Sequence, residues 1–402
     1  MISINSSFRH ATAQQLGAAL LAARHYTLDL FDCFAVAGLD QNARVPLLRT
    51  INPPLWELGH IAWFSEWFIL REARSSDPAD ATIGSLLARG DDWFDSNTVL
   101  HRSRWTLDLP SCDALKIYCH DVLEQVLEKL SHVADTDEAL YPYRLALAHE
   151  DMHGEALLIT LQTLGLAGPR HYAGLEPAYP VSPQIAFPGG TLQMGGGASL
   201  ADGSGFAFDN ELDAHALVVA PLSIDAALIS NAHYLAFMND GGYQNRQFWS
   251  EAGLAWLRQQ ERSAPRYWQR DGSAWSTVLF GRPGSLVLQA PVRHLSLHEA
   301  QAYCAWAGRR LPTEAEWEYC AKSGHPLFYW GQLWEWTASP FDPYPGFVAG
   351  RYREYSAPWF GNHQVLRGAS FATPQRLRSP CMRNFYEPHR DDVFVGLRTC
   401  AA

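Results

Sequence analysis

The sequence predicts two domains of different class, an α-helical bundle followed by an α+β domain, and three observations carry that reading. Over residues 11–166, apolar side chains recur at helical spacing in four separable runs. Around residue 167 the texture changes to GLAGPRHYAGLEPAYPVSP, rich in Gly and Pro and without a helical period. From residue 187 onward short strand-like runs, turns and aromatics alternate, and the chain's 30 glycines and 15 tryptophans suit loops pinned by large rings. The predicted limits are a four-helix bundle over 1–170, a linker over 171–186 and the second domain over 187–402.

In chain order, the first run covers 11–38, with Thr12 placed to cap it. Pro53 and Pro54 precede the second, where Leu55, Leu58, Ile61, Ala62, Ser65, Phe68 and Ile69 trace one stripe and His60 sits at its edge. Residues 75–110 read as irregular; Arg102 and Arg104 in HRSRW suit either an anionic substrate or a solvated loop. A third helix over 112–134 and a fourth over 138–166 complete an up-and-down bundle. Beyond 187 only two helices are clear, near 229–239 and 296–307.

Composition narrows the class of partner. With 402 residues, 47% of them hydrophobic and 18% charged, the chain is long enough for two packed cores. A net charge of −11 without a Lys/Arg-rich block argues against nucleic acid and anionic membranes, leaving small molecules as the expected ligands. Seven cysteines without a CxxC spacing suggest neither a zinc ribbon nor a disulfide framework, and reduced thiols are the default. No signal-peptide pattern opens the sequence and no stretch of 18 apolar residues occurs, so a cytoplasmic protein is expected.

The fourth run contains the chemistry. His149 and His153 lie four positions apart, so both imidazoles leave one face of the helix, where a single metal ion can be held by both. The same five residues fit HExxH, which would make Glu150 the base of a zinc hydrolase, and a pair of core or solvated histidines has the same spacing. Metal sites in helical bundles are built from inward side chains of facing helices. His60 on the second helix is therefore a candidate third ligand.

Several stretches carry a family resemblance. FPGGTLQMG, FDNELDAH, AGRRLPTEAEWEYCA, GQLWEWT, VLRGASF and FVGLR resemble, in order, the formylglycine-generating-enzyme (sulfatase-modifying factor) fold, a variant of the C-type lectin fold. LGHIAW at 58–63 and HEDMHGE at 149–155 resemble a DinB-like bundle. The pairing is similar to the sulfoxide synthases of thiol-imidazole biosynthesis, the ergothioneine synthases and their selenium relatives, the selenoneine synthases.

That resemblance implies a non-haem Fe(II) held by His60, His149 and His153, with positions left open for substrate and O2, and Glu155 orienting an imidazole. It implies Tyr352, in RYREYS, as a proton or hydrogen-bond donor, with Tyr355 three residues on. Asn384 and Phe385, in MRNFYEPHR, would hold hercynine (Nα-trimethylhistidine), whose quaternary ammonium aromatic faces can attract. The cysteine pair of copper-dependent formylglycine-generating enzymes is not evident at Cys381 and Cys400.

One departure bears on the second substrate. Members that use γ-glutamylcysteine tend to read Arg-Asn-Trp-Asp where this chain reads Arg383-Asn384-Phe385-Tyr386, keeping only the later Arg390. The spacing of Arg102 and Arg104 also departs from the ergothioneine pattern. A phenol at 386 suits an uncharged, hydroxyl-rich donor, so a selenosugar, as in selenoneine synthases, is expected ahead of γ-glutamylcysteine or cysteine.

Overall fold

Four helices carry the first half, and their ends follow from local sequence. The computed structural model describes residues 7–77, 80–81, 83–169, 172, 183–197, 205–272 and 274–402. α1 (Ala13–Val36) starts at Thr12, whose hydroxyl accepts from the Gln15 N–H while the Gln15 side chain accepts from the Thr12 N–H. α2 (Pro54–Ser65) opens on a proline, whose absent N–H would have had no helical partner, and runs into a π-helical turn, Glu66–Leu70. After the short α3 (Gly90–Phe94) come α4 (Cys112–Leu130) and α5 (Asp137–Leu164), capped by Ser111 and Thr136. Gly165, at φ +66°, ends α5 in a left-handed turn that a side chain would strain.

Two expectations for this half need correction. α1 and α2 each pack on both α4 and α5, whereas α4 and α5 share no extensive contact although they are consecutive. The simple up-and-down order is therefore not what forms; the long segments 37–53 and 66–111 let the chain cross the bundle. Nor does α2 carry a single apolar stripe. Every residue from Pro54 to Ser65 is buried, because α3 and the turn at Asn42–Arg44 close the side that the other helices leave open.

The second half begins with β1 (Gln184–Phe187), β2 (Gly190–Met194), β3 (His215–Val219) and β4 (Leu222–Asp225), then α6 (Asn231–Asn239) and α7 (Glu251–Gln260). It continues with β5 (Trp268–Asp271), β6 (Ala274–Leu279), β7 (Arg282–Ser285), α8 (Leu297–Ala307), β8 (Arg309–Arg310) and α9 (Glu314–Lys322). It closes with β9 (Trp334–Pro340), β10 (Gln364–Gly368), β11 (Asn384–Tyr386), β12 (Val395–Gly396) and β13 (Cys400–Ala401). One sheet runs β1-β4-β13-β8 and another β11-β10-β9-β12, leaving β11 as an edge strand. The helices expected near 229–239 and 296–307 are α6 and α8; α7 and α9 were not expected, although Thr313 and Glu316 form a capping box at the start of α9. The predicted linker falls mostly outside the described residues. Among the described residues no helix is long and apolar enough to cross a membrane.

So little regular structure is held by buried ion pairs. Arg383 binds Glu314 through two nitrogens at 3.0 and 3.1 Å, Arg398 binds Glu335 at 2.7 and 2.9 Å, and Arg367 pairs with Glu318. All three arginines are fully buried and also donate to loop carbonyls, such as Met382, Asn210 and Ala226. A planar guanidinium with five donors can tie several irregular strands at one point.

The two halves share one continuous apolar core, from Leu16 and Phe34 of α1 to Trp334 and Phe394. Polar clamps cross the same junction. Asp151 on α5 takes two hydrogen bonds from Arg376, at 2.8 and 2.5 Å, and Gln162 bonds the backbone of Val278 and Phe280. Near the N-terminus Arg9 pairs with Glu211 at 2.7 and 2.9 Å.

Burial pushes the Asp151 carboxyl up to about 6 even though Arg376 pulls it down. Removing that guanidinium in Arg376→Met raises it further and strands a buried charge, a loss of about 3–5 kcal/mol when ionised. A carboxyl raised above its unfolded value of about 3.9 loses folded-state stability as pH climbs towards its folded pKa. The variant's deficit against wild type, read from urea unfolding, should therefore be larger at pH 8 than at pH 5; an equal deficit at both would contradict this account of the junction.

Candidate functional site

His60 from α2 meets His149 and His153 from α5, with one ligand-type atom from each lying within 4.8 Å of the others. The Nε2 atoms of His149 and His153 are 3.2 Å apart, and the His60 ring centre lies 5.0 Å from each of theirs. His60 and His149 are almost wholly buried and His153 is half-buried.

Neighbouring groups set the orientation of each ring. His60 Nδ1 lies 2.8 Å from the Phe94 carbonyl, which can only accept, so the proton sits on Nδ1 and Nε2 keeps its lone pair. Gly59 allows that contact, since a Cβ there would stand 2.2 Å from the Phe94 ring. His153 Nδ1 donates in the same way to Glu57 at 2.7 Å. Phe64 stacks on His149 at 3.6 Å and 5°, and Trp56 stacks on His60 at 4.8 Å and 10°. Burial, with added repulsion from the neighbouring cations, holds His60 and His149 well below the usual histidine range. They are neutral at physiological pH, the form that binds metal.

The arrangement fits a metal ion. Two imidazole lone pairs facing each other at 3.2 Å repel unless a cation or proton lies between them. With metal–nitrogen bonds of about 2.0–2.1 Å, adjacent ligand atoms stand roughly 3.0–3.4 Å apart. Three nitrogen donors on one side suit a metal that keeps positions for exogenous ligands.

The two glutamates of the motif face elsewhere. Glu150 accepts from Arg24 at 2.8 and 3.1 Å and from Thr27 at 3.0 Å, inside the bundle. It is unavailable as the base that a zinc hydrolase would need. Glu155 does not orient an imidazole either: its carboxylate accepts from Trp334 Nε1 at 2.8 Å, Ser370 at 2.6 Å and Thr373 at 2.7 Å, all from the second half. The carboxylate on an imidazole is Glu57, which the sequence reading missed. Its signal was present, since Glu57 precedes His60 by three positions and so shares its face of α2.

A cavity of about 790 Å³ opens at the histidines between the two halves. Tyr352 roofs it, edge-on to Phe64 at 4.9 Å and to His149 at 5.6 Å, with Tyr355 stacked beside it at 5.7 Å. Burial raises the phenols of Tyr352, Tyr355 and Tyr386, so each keeps its proton at neutral pH. Strand β11 lines the far wall with Asn384, Phe385 and Tyr386, Phe385 being stacked on Phe341 at 4.0 Å. Arg390 reaches the same wall with its guanidinium over the Tyr386 ring at 4.9 Å, and Asp392 holds it at 2.6 and 2.8 Å.

The two candidate arginines of HRSRW part company. Arg104 lines the cavity, stacked on Trp56 at 3.8 Å and donating to Asn52 at 2.7 Å, and burial lowers it to about 10. Arg102 is exposed and outside the cavity lining, because the short 3-10 turn at His101–Trp105 turns it to solvent. Cys381 and Cys400, like the other cysteines, are free thiols.

Comparison with known proteins agrees with this organisation. Residues 173–332 match the sulfatase-modifying factor enzyme 1-like domain. A hercynine oxygenase of Mycolicibacterium thermoresistibile is 32% identical over 96% of this chain and 94% of its own, and one of Mycolicibacterium smegmatis is 31% identical over 94% and 96%. The formylglycine-generating enzyme of Streptomyces coelicolor is 33% identical, but over only 40% of this chain and 55% of its own. The similarity to the first two runs through both halves, helical and α+β alike, and on that ground the chain is an enzyme that belongs to the hercynine oxygenase family.

Proposed function

We propose that this enzyme joins a chalcogen, selenium or sulfur, to the imidazole ring of hercynine, using Fe(II) held by His60, His149 and His153 and O2 as co-substrate. The observation that carries the reading is the convergence of three imidazoles, two of them held neutral by burial, on a cavity roofed by a protonated phenol. We read residues 1–170 as a DinB-like bundle, 171–186 as a linker and 187–402 as the domain that closes over the metal.

Iron, when bound, supplies the electrons that activate O2 and a coordination site for substrate. The protein's own groups do the rest. Glu57 and the Phe94 carbonyl fix the tautomers of His153 and His60, keeping Nε2 free for the metal. Tyr352 Oη holds a proton beside the histidines and is the donor to a reacting oxygen. The aromatic faces of Tyr355 and Phe385 suit the trimethylammonium group of hercynine, with Asn384 orienting it. For the second substrate, the phenol at 386 supports a selenosugar ahead of γ-glutamylcysteine or cysteine.

Iron-loaded protein given hercynine, 1-seleno-N-acetylglucosamine and γ-glutamylcysteine together should form the selenium adduct preferentially, detected by mass, in air and not under nitrogen. Equal turnover without O2 contradicts the reaction. His149→Ala and His153→Ala should each lose both iron and turnover while the second half stays folded, as judged by near-UV circular dichroism. Glu57→Gln should weaken iron binding by about 10–100-fold, measured by competition with a chelator. Tyr386→Asp should move donor preference towards γ-glutamylcysteine, and an unmoved product ratio would remove the argument for a sugar donor.

A further inference from the structure

Arg390 is the cation on the β11 side of the cavity, and its charge is already matched. Asp392 meets it in a two-point pair at 2.6 and 2.8 Å, with the carboxylate 1% exposed. The pair cannot swing apart easily. The preceding residue, Asp391, is held by Arg262 at 2.7 Å and Arg266 at 2.6 Å, and the Arg390 N–H donates to the Glu387 carbonyl at 3.0 Å. The guanidinium also lies over the Tyr386 ring, 4.9 Å from its centre. Arg104, on the bundle side of the same cavity, differs: among the described residues its hydrogen bonds go to the neutral oxygens of Asn52 and Val99.

We propose that Asp392 is a positioning residue that sets donor specificity: by neutralising Arg390 it leaves the β11 wall without an unpaired cation, selecting an uncharged, hydroxyl-bearing donor over one that presents a carboxylate. This rests on the reaction proposed above and names the substrate class of its second subsite. With Asn384 assigned to hercynine, the group left to meet the donor there is the Tyr386 phenol, which hydrogen-bonds hydroxyls without requiring a counter-charge. A carboxylate brought to this wall meets an arginine whose partner is already in place and, at the rim, the like charge of Glu387.

The test uses the full chain in two measurements. Binding of γ-glutamylcysteine and of 1-thioglucose to the iron-free protein is followed by tryptophan fluorescence, and turnover of each with hercynine is followed in the iron-loaded protein. Asp392→Asn frees the Arg390 charge and should shift the affinity ratio towards γ-glutamylcysteine by about tenfold or more. Asp392→Glu should restore the wild-type ratio. The double variant D392N/R390M, which removes both charges, should also keep it; if Arg390 itself recognises a carboxylate, that variant instead loses γ-glutamylcysteine selectively. An unmoved ratio in D392N, or a selective loss in the double variant, overturns the inference. Should D392N not fold, the double variant decides alone. A ratio that moves in protein unable to turn over hercynine with either donor defeats the reaction proposed above and not the role of Asp392.

Discussion

The structure depends on how one largely buried helix distributes its polar side chains among partners on different sides. Over His149–Glu155, α5 sends His149 and His153 to the metal cluster, Glu150 to Arg24 within the bundle, and Asp151 and Glu155 to Arg376, Trp334, Ser370 and Thr373 in the second half. Successive residues on a helix diverge by about 100°, so neighbours in sequence serve different partners. Each buried carboxylate would be costly alone, and each has a matched donor set. The same turns that present two imidazoles therefore also fix the second half over them.

This coupling explains the composition of the cavity. The bundle supplies three nitrogen donors and the carbonyl and carboxylate that orient two of them, while the second half supplies the phenols and the edge strand opposite. Neither half encloses the space by itself. Tyr352 sits edge-on to His149 because the segment that bears it is anchored elsewhere: Ser356 donates to Asp209 and Gly350 donates to the same carboxylate.

Much of this was legible in the sequence, for identifiable reasons. The helix cap at Thr12 lies next to the run it starts, and the i,i+4 spacing of His149 and His153 forces a shared face. What could not be read depends on contacts between distant segments. Glu155 and Glu57 are both glutamates close to a histidine in sequence; only the packing of Trp334 and Ser370 against α5 assigns the first to the junction and leaves the second on His153. Arg102 and Arg104 differ by two positions on a short 3-10 turn, enough to place one in the cavity and the other in solvent. The stretches that resemble the formylglycine-generating fold carry Glu314, Glu318, Glu335, Arg367 and Arg398, all members of buried ion pairs, so they report how loops are held rather than what reaction occurs.

The central claim is that imidazoles from two helices remote in sequence bind one metal ion beneath a roof from the other half. Iron-edge anomalous diffraction from crystals grown with Fe(II) under nitrogen tests it most directly. The account predicts one strong peak at bonding distance, about 2.1 Å, from a ring nitrogen of each of His60, His149 and His153. A map with no peak there, or with iron bound only by other residues, would contradict it.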